Sequence, residues 1–364
     1  MTTPKKSAGT KKATTTSAKS ADVKKTAKST DAKKTAKSAD AKTKSVAKKT
    51  TKTPPAPKSG TLALIGRPNA GKSTLLNAIL GEHLAIVSHH PQTTRDAILG
   101  IVHRDAVEYV LLDTPGLHRS RHALGARMNA FAEDAAERAD VIVYVTELPR
   151  AALREIGEDD VPTPIELGAE DRQLLASLPK DTKVILALNK IDKLVKKEQL
   201  FPVLEGIAKA HDFAAIVPIS AKRRDGVDAL LAAAAEHFAE GAHSHDGDEL
   251  TDRPARYFVR EYLREQILMH TAQEVPHGVA VVVERWQKEK KHTFIGVVVH
   301  VDKDSHRPIL LGKGGSRMKS IASRARGRIE ALLGEHVALD VTIRVTPGWY
   351  ENPTLLDELG YEKS

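Results

Sequence analysis

The sequence predicts an α/β domain with a mixed, mostly parallel sheet, then a smaller α+β domain, with a disordered lysine-rich arm in front. Two patterns carry this. Short apolar runs alternate with helical stretches through the middle of the chain, and the order becomes helix, strand, strand, helix, strand after residue 253. Charge divides along the same lines. Residues 1–58 hold 17 Lys and three Asp, residues 59–252 hold 21 basic against 30 acidic residues, and residues 253–364 hold 18 against 14. A chain of net charge +9 with its basic residues segregated in this way points to a nucleic-acid partner for the basic parts.

Residues 1–58 repeat a nine-residue unit, Ser-Ala-Asp-Val-Lys-Lys-Thr-Ala-Lys from Ser20, Ser-Thr-Asp-Ala-Lys-Lys-Thr-Ala-Lys from Ser29, and a decayed copy from Ser38. Apart from proline, the only apolar side chains there larger than alanine are Met1, Val23 and Val46. So little burial cannot offset the entropy of ordering, and disorder is expected. Such an arm is either a solubilising tail or an electrostatic contact to RNA phosphates. It has neither the apolar core of a signal peptide nor the arginines of a transit peptide.

The 59–240 segment has apolar runs at 61–65, 97–102, 107–112, 141–146, 183–188 and 215–219. Helical stretches at 73–80, 124–138 and 226–239 lie among them. The 97–112 pair is joined only by residues 103–106, so one hairpin adds an antiparallel strand. Residues 147–170, rich in Pro, Gly and Glu, show no period and read as an excursion. Residues 241–252 are hydrophilic and read as a solvated linker, with His243, His245 and Asp246 as linker residues rather than metal ligands. Residues 253–364 open with Phe258, Val259, Tyr262, Leu263 and Ile267 on a helical stripe. The absence of cysteine excludes disulfides, zinc-thiolate sites and thiol nucleophiles. No apolar run reaches the roughly 18 residues a membrane span needs.

Four motifs carry chemistry, each after a strand. Gly66-Arg67-Pro68-Asn69-Ala70-Gly71-Lys72-Ser73 is G-x-x-x-x-G-K-S between a strand and a helix. Its backbone N–H groups surround phosphates, Gly71 permits close approach, Lys72 reaches the β- and γ-phosphates, and Ser73 offers a hydroxyl to Mg²⁺. Asp113-Thr114-Pro115-Gly116 ends the 107–112 strand. Asp113 suits a water-bridged Mg²⁺ contact, and the Gly116 N–H can meet the γ-phosphate. Asn189-Lys190-Ile191-Asp192 follows the 183–188 strand. Asp192 can accept from guanine N1 and N2, where adenine has no donor, and so can reject ATP by a factor on the order of 10⁴. Asn189 would tie the loops together, and the Lys190 stem would lie along the base. In Ser220-Ala221-Lys222 the Ala221 N–H would donate to guanine O6.

Together these are the motifs of the translation-factor-related GTPases, which the 61–240 segment resembles. The resemblance makes Pro91-Gln92-Thr93-Thr94-Arg95-Asp96 the mobile loop that closes on the nucleotide, with Thr94 on Mg²⁺ and the γ-phosphate. It also exposes a gap. Leu117 stands where Ras-like proteins have the glutamine that orients water. Slow intrinsic turnover is therefore expected. By resemblance to GTPases that share G-x-P-N-x-G-K-S, Asn69 is a candidate K⁺ ligand. The catalytic set expected is Asn69, Lys72, Thr94 and Gly116.

Leu311-Gly312-Lys313-Gly314-Gly315-Ser316 opens a helix whose apolar face carries Met318, Ile321, Ala322, Ala325, Ile329, Leu332 and Leu333. Arg317, Arg324 and Arg328 lie on another stripe. Flanked by strands at 297–301 and 337–345, this resembles a type II KH domain. Gly312 and Gly315 would then frame a clamp on single-stranded RNA, with Gly314 between them and Lys313 and Arg317 on phosphates. A GTPase domain followed by a KH domain, with 275–277 and 282–286 matching a family pattern, resembles the Era family of bacterial GTPases over residues 59–364. That resemblance implies binding near the 3′ end of 16S ribosomal RNA, a role in maturing the small ribosomal subunit, and a cytoplasmic monomer loosely associated with the inner membrane surface.

Overall fold

The computed structural model describes residues 56–153, 164–194, 196–247, 249–271, 275 and 278–361, all within one compact unit, Thr53–Ser364. The arm up to residue 55, most of the excursion (154–163) and Pro276 and His277 lie outside the described residues.

The first sheet is built from β1 (Lys58–Ile65), β2 (Ile98–Arg104), β3 (Val107–Asp113), β4 (Val141–Glu147), β5 (Lys183–Asn189), β6 (Ala215–Pro218) and the short β7 (Ala239–Glu240). Its order is β2-β3-β1-β4-β5-β6, with β7 paired to the start of β1. The pairs β1/β3, β1/β4, β4/β5 and β5/β6 are parallel, while the hairpin β2/β3 and the pair β1/β7 are antiparallel. The helices are α1 (Lys72–Leu80), α2 (Ala123–Arg138), α3 (Ala169–Ala176), α4 (Leu200–Ala208) and α5 (Val227–Ala235).

Strand alternation divides the core. Leu62 and Leu64 of β1 join the cluster of α1 and α5, whereas Ala63 and Ile65 join that of α2, α3 and α4. All four side chains are fully buried, so β1 reads as one continuous apolar run, as a strand covered on both faces should. The strand order reverses at β1, and its carboxyl end is where a ligand crevice forms in such sheets. The phosphate-loop motif sits there.

The C-terminal part comprises α6 (Ala255–His270), β8 (Val279–Lys288), β9 (Thr293–Val301), α7 (His306–Leu311), α8 (Ser316–Leu333), β10 (Val337–Val345) and α9 (Pro353–Glu358). Its sheet runs β10-β9-β8, with β9/β10 parallel and β8/β9 antiparallel. The expected strands and helices are present, and two helices are additional. In α7 Pro308 reads as a turn, and α9 is only six residues long. Yet α9 had a legible start: Asn352 caps it through Thr354 N–H at 2.9 Å, and Pro353 takes the first helical position. On α8, Met318, Ile321, Ala325 and Ile329 are buried as expected, but Leu332 is exposed.

Two boundaries differ from the sequence reading. Lys58, assigned to the arm, already belongs to β1. The 241–252 run is not simply solvated. Ile101 N–H donates to Leu250 O at 2.9 Å, and the fully buried Glu108 carboxylate accepts from Ser244 N–H and His245 N–H at 3.0 and 2.9 Å. Burial pushes the Glu108 carboxyl up, but these bonds with those from Ser59 and His103 outweigh it and hold it at about 2. Among the described residues no group of three or more His, Cys, Asp or Glu side chains is placed to hold a metal ion, and no helix is long and apolar enough to cross a membrane.

Candidate nucleotide site and its link to the KH domain

The loop between β1 and α1 is shaped by close approach. A Cβ on Gly66 would lie 2.2 Å from Val145 O, and one on Gly71 2.3 Å from Asn189 Nδ2. The loop borders a cavity of about 700 Å³ that also touches Thr94, Gly116, Lys190, Asp192 and Lys222. That volume suits a small-molecule ligand. The four motifs and the 91–96 loop, spread between Gly66 and Lys222, therefore meet around one space.

Lys72 is buried and its Nζ donates to Gly66 O and Arg67 O at 3.0 and 3.1 Å. Burial lowers its ammonium to about 8 against the opposing pull of Asp113. Ser73 Oγ donates to Asp113 Oδ2 at 2.7 Å and lies 2.7 Å from Thr94 Oγ1. The three side chains expected to serve Mg²⁺ thus converge. Burial pushes the Asp113 carboxyl up to about 6, although Lys72, Ser73 and Thr94 all favour its charged form. Its Oδ1 is buried with no hydrogen-bond partner among the described residues. Two hydroxyls and an under-compensated carboxylate are a hard oxygen set of the kind Mg²⁺ takes. Thr114 Oγ1 donates to Leu64 O at 2.8 Å, pinning the Asp113–Gly116 turn to β1. Gly116 sits where a Cβ would be 2.6 Å from Pro68 N, so this turn lies against the phosphate loop.

On the base side, Asn189 Nδ2 donates to Ala70 O at 2.9 Å, which ties the two loops as the sequence suggested. Asp192 Oδ1 accepts from Ser220 Oγ at 2.7 Å, so the third and fourth motifs hold each other. Lys190 adopts φ +66° and its Nζ donates to Asn69 O at 2.7 Å and Glu147 at 2.6 Å. Ala221 N–H, read from sequence as a donor to guanine O6, here donates to Asn189 Oδ1 at 3.0 Å. Serving O6 as well requires a shared, three-centre bond. Arg67 turns outward to Glu170 and Asp171, and its carbonyl accepts from Lys72 Nζ. Asn69 Nδ2 donates to His89 O at 3.1 Å. Leu117 packs partly buried against the apolar core, and Ile191 does the same.

What the sequence reading missed is how the 91–96 loop is held from the other side. Thr93 O accepts from Arg264 and Asp96 pairs with Arg260, both on α6. Val87 N–H donates to Glu265 Oε1 at 2.9 Å. Arg95 donates to Val279 O at 2.6 Å and to the Tyr361 hydroxyl at 3.0 Å, with its guanidinium 5.5 Å from the Trp349 ring centre. Arg264, Glu261 and Glu265 are buried. Burial pushes the Glu265 carboxyl up to about 7. Its other oxygen pairs with Arg328 of α8, so Arg328 faces α6. In the Gly312–Gly315 loop φ is +70°, +60° and +77° at Gly312, Gly314 and Gly315. Lys313 is exposed. Arg317, expected on phosphates, donates through Nη1 to Ile309 O at 2.6 Å and braces the loop.

The comparisons agree with this geometry. The family described as "50S ribosome-binding GTPase" matches residues 61–190, and the KH domain family matches 274–350. GTPase Era of Bordetella avium is 40% identical over 307 residues, covering 84% of this chain and 98% of that one. The chain belongs to the GTPase Era family. A second member, from Ruminiclostridium cellulolyticum, is 37% identical over 308 residues, with 84% and 98% covered. Among solved structures, Aquifex aeolicus Era bound to GDP and aluminium fluoride superposes with a TM-score of 0.77 at 32% identity, covering 84% of this chain and 99% of that one. The same values hold for Era in complex with MgGDPNP and nucleotides 1506–1542 of 16S ribosomal RNA. As an Era-family member this chain is a GTPase with a C-terminal KH domain.

Proposed function

We propose that the chain is a GTP-gated binder of the 3′ region of 16S ribosomal RNA that acts in assembly of the small ribosomal subunit. One observation carries this. The run 87–97 is bonded on one side to Ser73, and through it to Asp113, and on the other to α6 and the C-terminal segment. Whatever orders Thr94 at the γ-phosphate therefore also acts on Arg264 and Glu265, and through Arg328 on the helix that the Gly312–Gly315 loop opens. The relative solved with MgGDPNP and 16S nucleotides supports this choice of nucleotide and RNA.

Ser73, Thr94 and Asp113 would hold Mg²⁺, which when bound offsets the charge of the β- and γ-phosphates. Lys72 neutralises the phosphates, and Gly116 N–H meets the terminal one. Asp192 reads the guanine edge. Asn69 would hold K⁺ near the phosphates, a role tested by comparing turnover in K⁺ and Na⁺. Gly312, Lys313, Gly314 and Gly315 would grip the RNA backbone, with Arg317 supporting them.

The base-reading half is tested with Asp192→Asn. The variant should bind and hydrolyse xanthosine triphosphate in preference to GTP, and an unchanged guanine preference would refute the assignment. For the RNA half, the full chain should bind an oligonucleotide matching the 16S 3′ end more tightly than a scrambled one. Equal affinity would refute that reading.

A further inference from the structure

Leu117 leaves the hydrolysis of GTP without a side chain to orient water from the usual position, and the structure offers another. Gln92 borders the nucleotide cavity together with Thr94 and Gly116. Its backbone is held at φ +61°, a conformation that costs a non-glycine residue about 1–2 kcal/mol and recurs at functional sites. Its side-chain Nε2 lies 2.7 Å from His118 Nε2, and His118 Nδ1 lies 2.8 Å from Gly116 O.

With the His118 ring neutral, these contacts fix one pattern of hydrogens. A carbonyl oxygen only accepts, so His118 Nδ1 carries the hydrogen. In the neutral ring Nε2 is then an acceptor, and Gln92 must turn its NH₂ towards it. That orients Oε1, an acceptor, on the opposite side of the amide. The His118 backbone is itself clamped by Asn129 of α2, whose Nδ2 donates to His118 O at 2.8 Å and whose Oδ1 accepts His118 N–H at 3.4 Å. The neighbouring Thr93 hydroxyl is committed to His90 O and to Ser88.

We propose that Gln92, oriented by His118, supplies the water-positioning amide from the mobile loop. Gln92 Oε1 accepts a hydrogen bond from the attacking water. The water oxygen bonds to the γ-phosphorus. The bond from that phosphorus to the β-phosphate oxygen breaks, its electron pair stays on GDP, and the water proton leaves on the phosphate product. Gln92 is the catalytic group and His118 a positioning residue. The assignment rests on the γ-phosphate lying among Lys72, Thr94 and Gly116.

The test uses the full chain with saturating Mg²⁺ and GTP. Gln92→Ala should lower single-turnover hydrolysis about a hundredfold, the scale of one lost transition-state contact, while GTP and GDP affinities stay within about threefold. It should also lose the aluminium-fluoride-dependent fluorescence change of a labelled GDP complex. His118→Ala should lower the rate about tenfold, and His118→Gln, which restores a donor and an acceptor, should recover most of it. The double variant should be no slower than Gln92→Ala alone, because the two act as one unit. Parent-like turnover in Gln92→Ala, a loss of affinity as large as the loss of rate, or losses that multiply in the double variant would each overturn the proposal. Ser73→Ala tests the site separately. If it keeps Mg²⁺-dependent nucleotide affinity, the phosphate placement itself is wrong, whatever Gln92 does.

Discussion

The chain carries two glycine-rich loops at helix N-termini, and they are built to opposite ends. In Gly66–Ser73 glycine makes room, since side chains at positions 66 and 71 would collide with Val145 O and Asn189 Nδ2. Lys72 is buried and already bonded to the loop's own carbonyls. In Gly312–Gly315 no atom lies within 4 Å of a Cβ built on Gly314 or Gly315, so glycine there serves the backbone's positive φ rather than space. The first loop borders a closed-in cavity suited to a compact, highly charged group. The second is an open rim past which a polymer backbone can run. Sequence spacing alone separates them, but only the packing shows why a shared composition gives different work.

The contrast can be broken at either loop. Lys72→Ala should have the largest effect, weakening GTP and GDP affinity by about a thousandfold, as expected for a buried charge-assisted contact removed outright. Titration with a fluorescent nucleotide measures it. Gly71→Ala should cost about a hundredfold in the same titration, because its methyl group must displace Asn189 and adopt φ +102°. At the open loop, Gly312→Asp should weaken binding of single-stranded RNA about thirtyfold by filter assay. It forces a side chain at φ +70°, ψ −178°, a region essentially reserved for glycine, and its Cβ would lie 2.7 Å from Arg317 Cβ. Gly314→Ala should cost only about threefold, since it meets backbone strain and no clash.

A further prediction concerns the stretch joining the two frames. The folded pKa of Glu108 is depressed from 4.5 to about 2, so its stabilisation is present above pH 4.5 and lost as pH falls towards 2. Glu108→Gln should cost roughly 2 kcal/mol at pH 7 by urea unfolding, with the difference from the parent narrowing below pH 4.5.

The nucleotide motifs were legible because each is local: a few residues directly after a strand, with chemistry fixed by residue type. Even so, the sequence did not show that Ala221 N–H would meet Asn189 or that Arg67 would face α3. The link between domains was not legible at all. The apolar stripe of α6 was visible, but nothing in Arg260, Glu261, Arg264 and Glu265 says that three of them are buried against a loop some 170 residues earlier. Charged residues on an amphipathic helix read as a solvated face, and only tertiary pairing overrides that. Gln92 and His118 were passed over because neither lies at the position where related GTPases keep a glutamine.

The central claim is that the 87–97 run transmits nucleotide state to the RNA loop. It is tested most directly by measuring the affinity of the full chain for the 16S 3′-end oligonucleotide with a non-hydrolysable GTP analogue and with GDP, in the parent and in Arg264→Ala. Coupling of this kind is worth about 1–3 kcal/mol. The parent should therefore bind RNA at least fivefold more tightly with the analogue, and Arg264→Ala should shrink that ratio towards one. Equal RNA affinity in both nucleotide states of the parent would contradict the account.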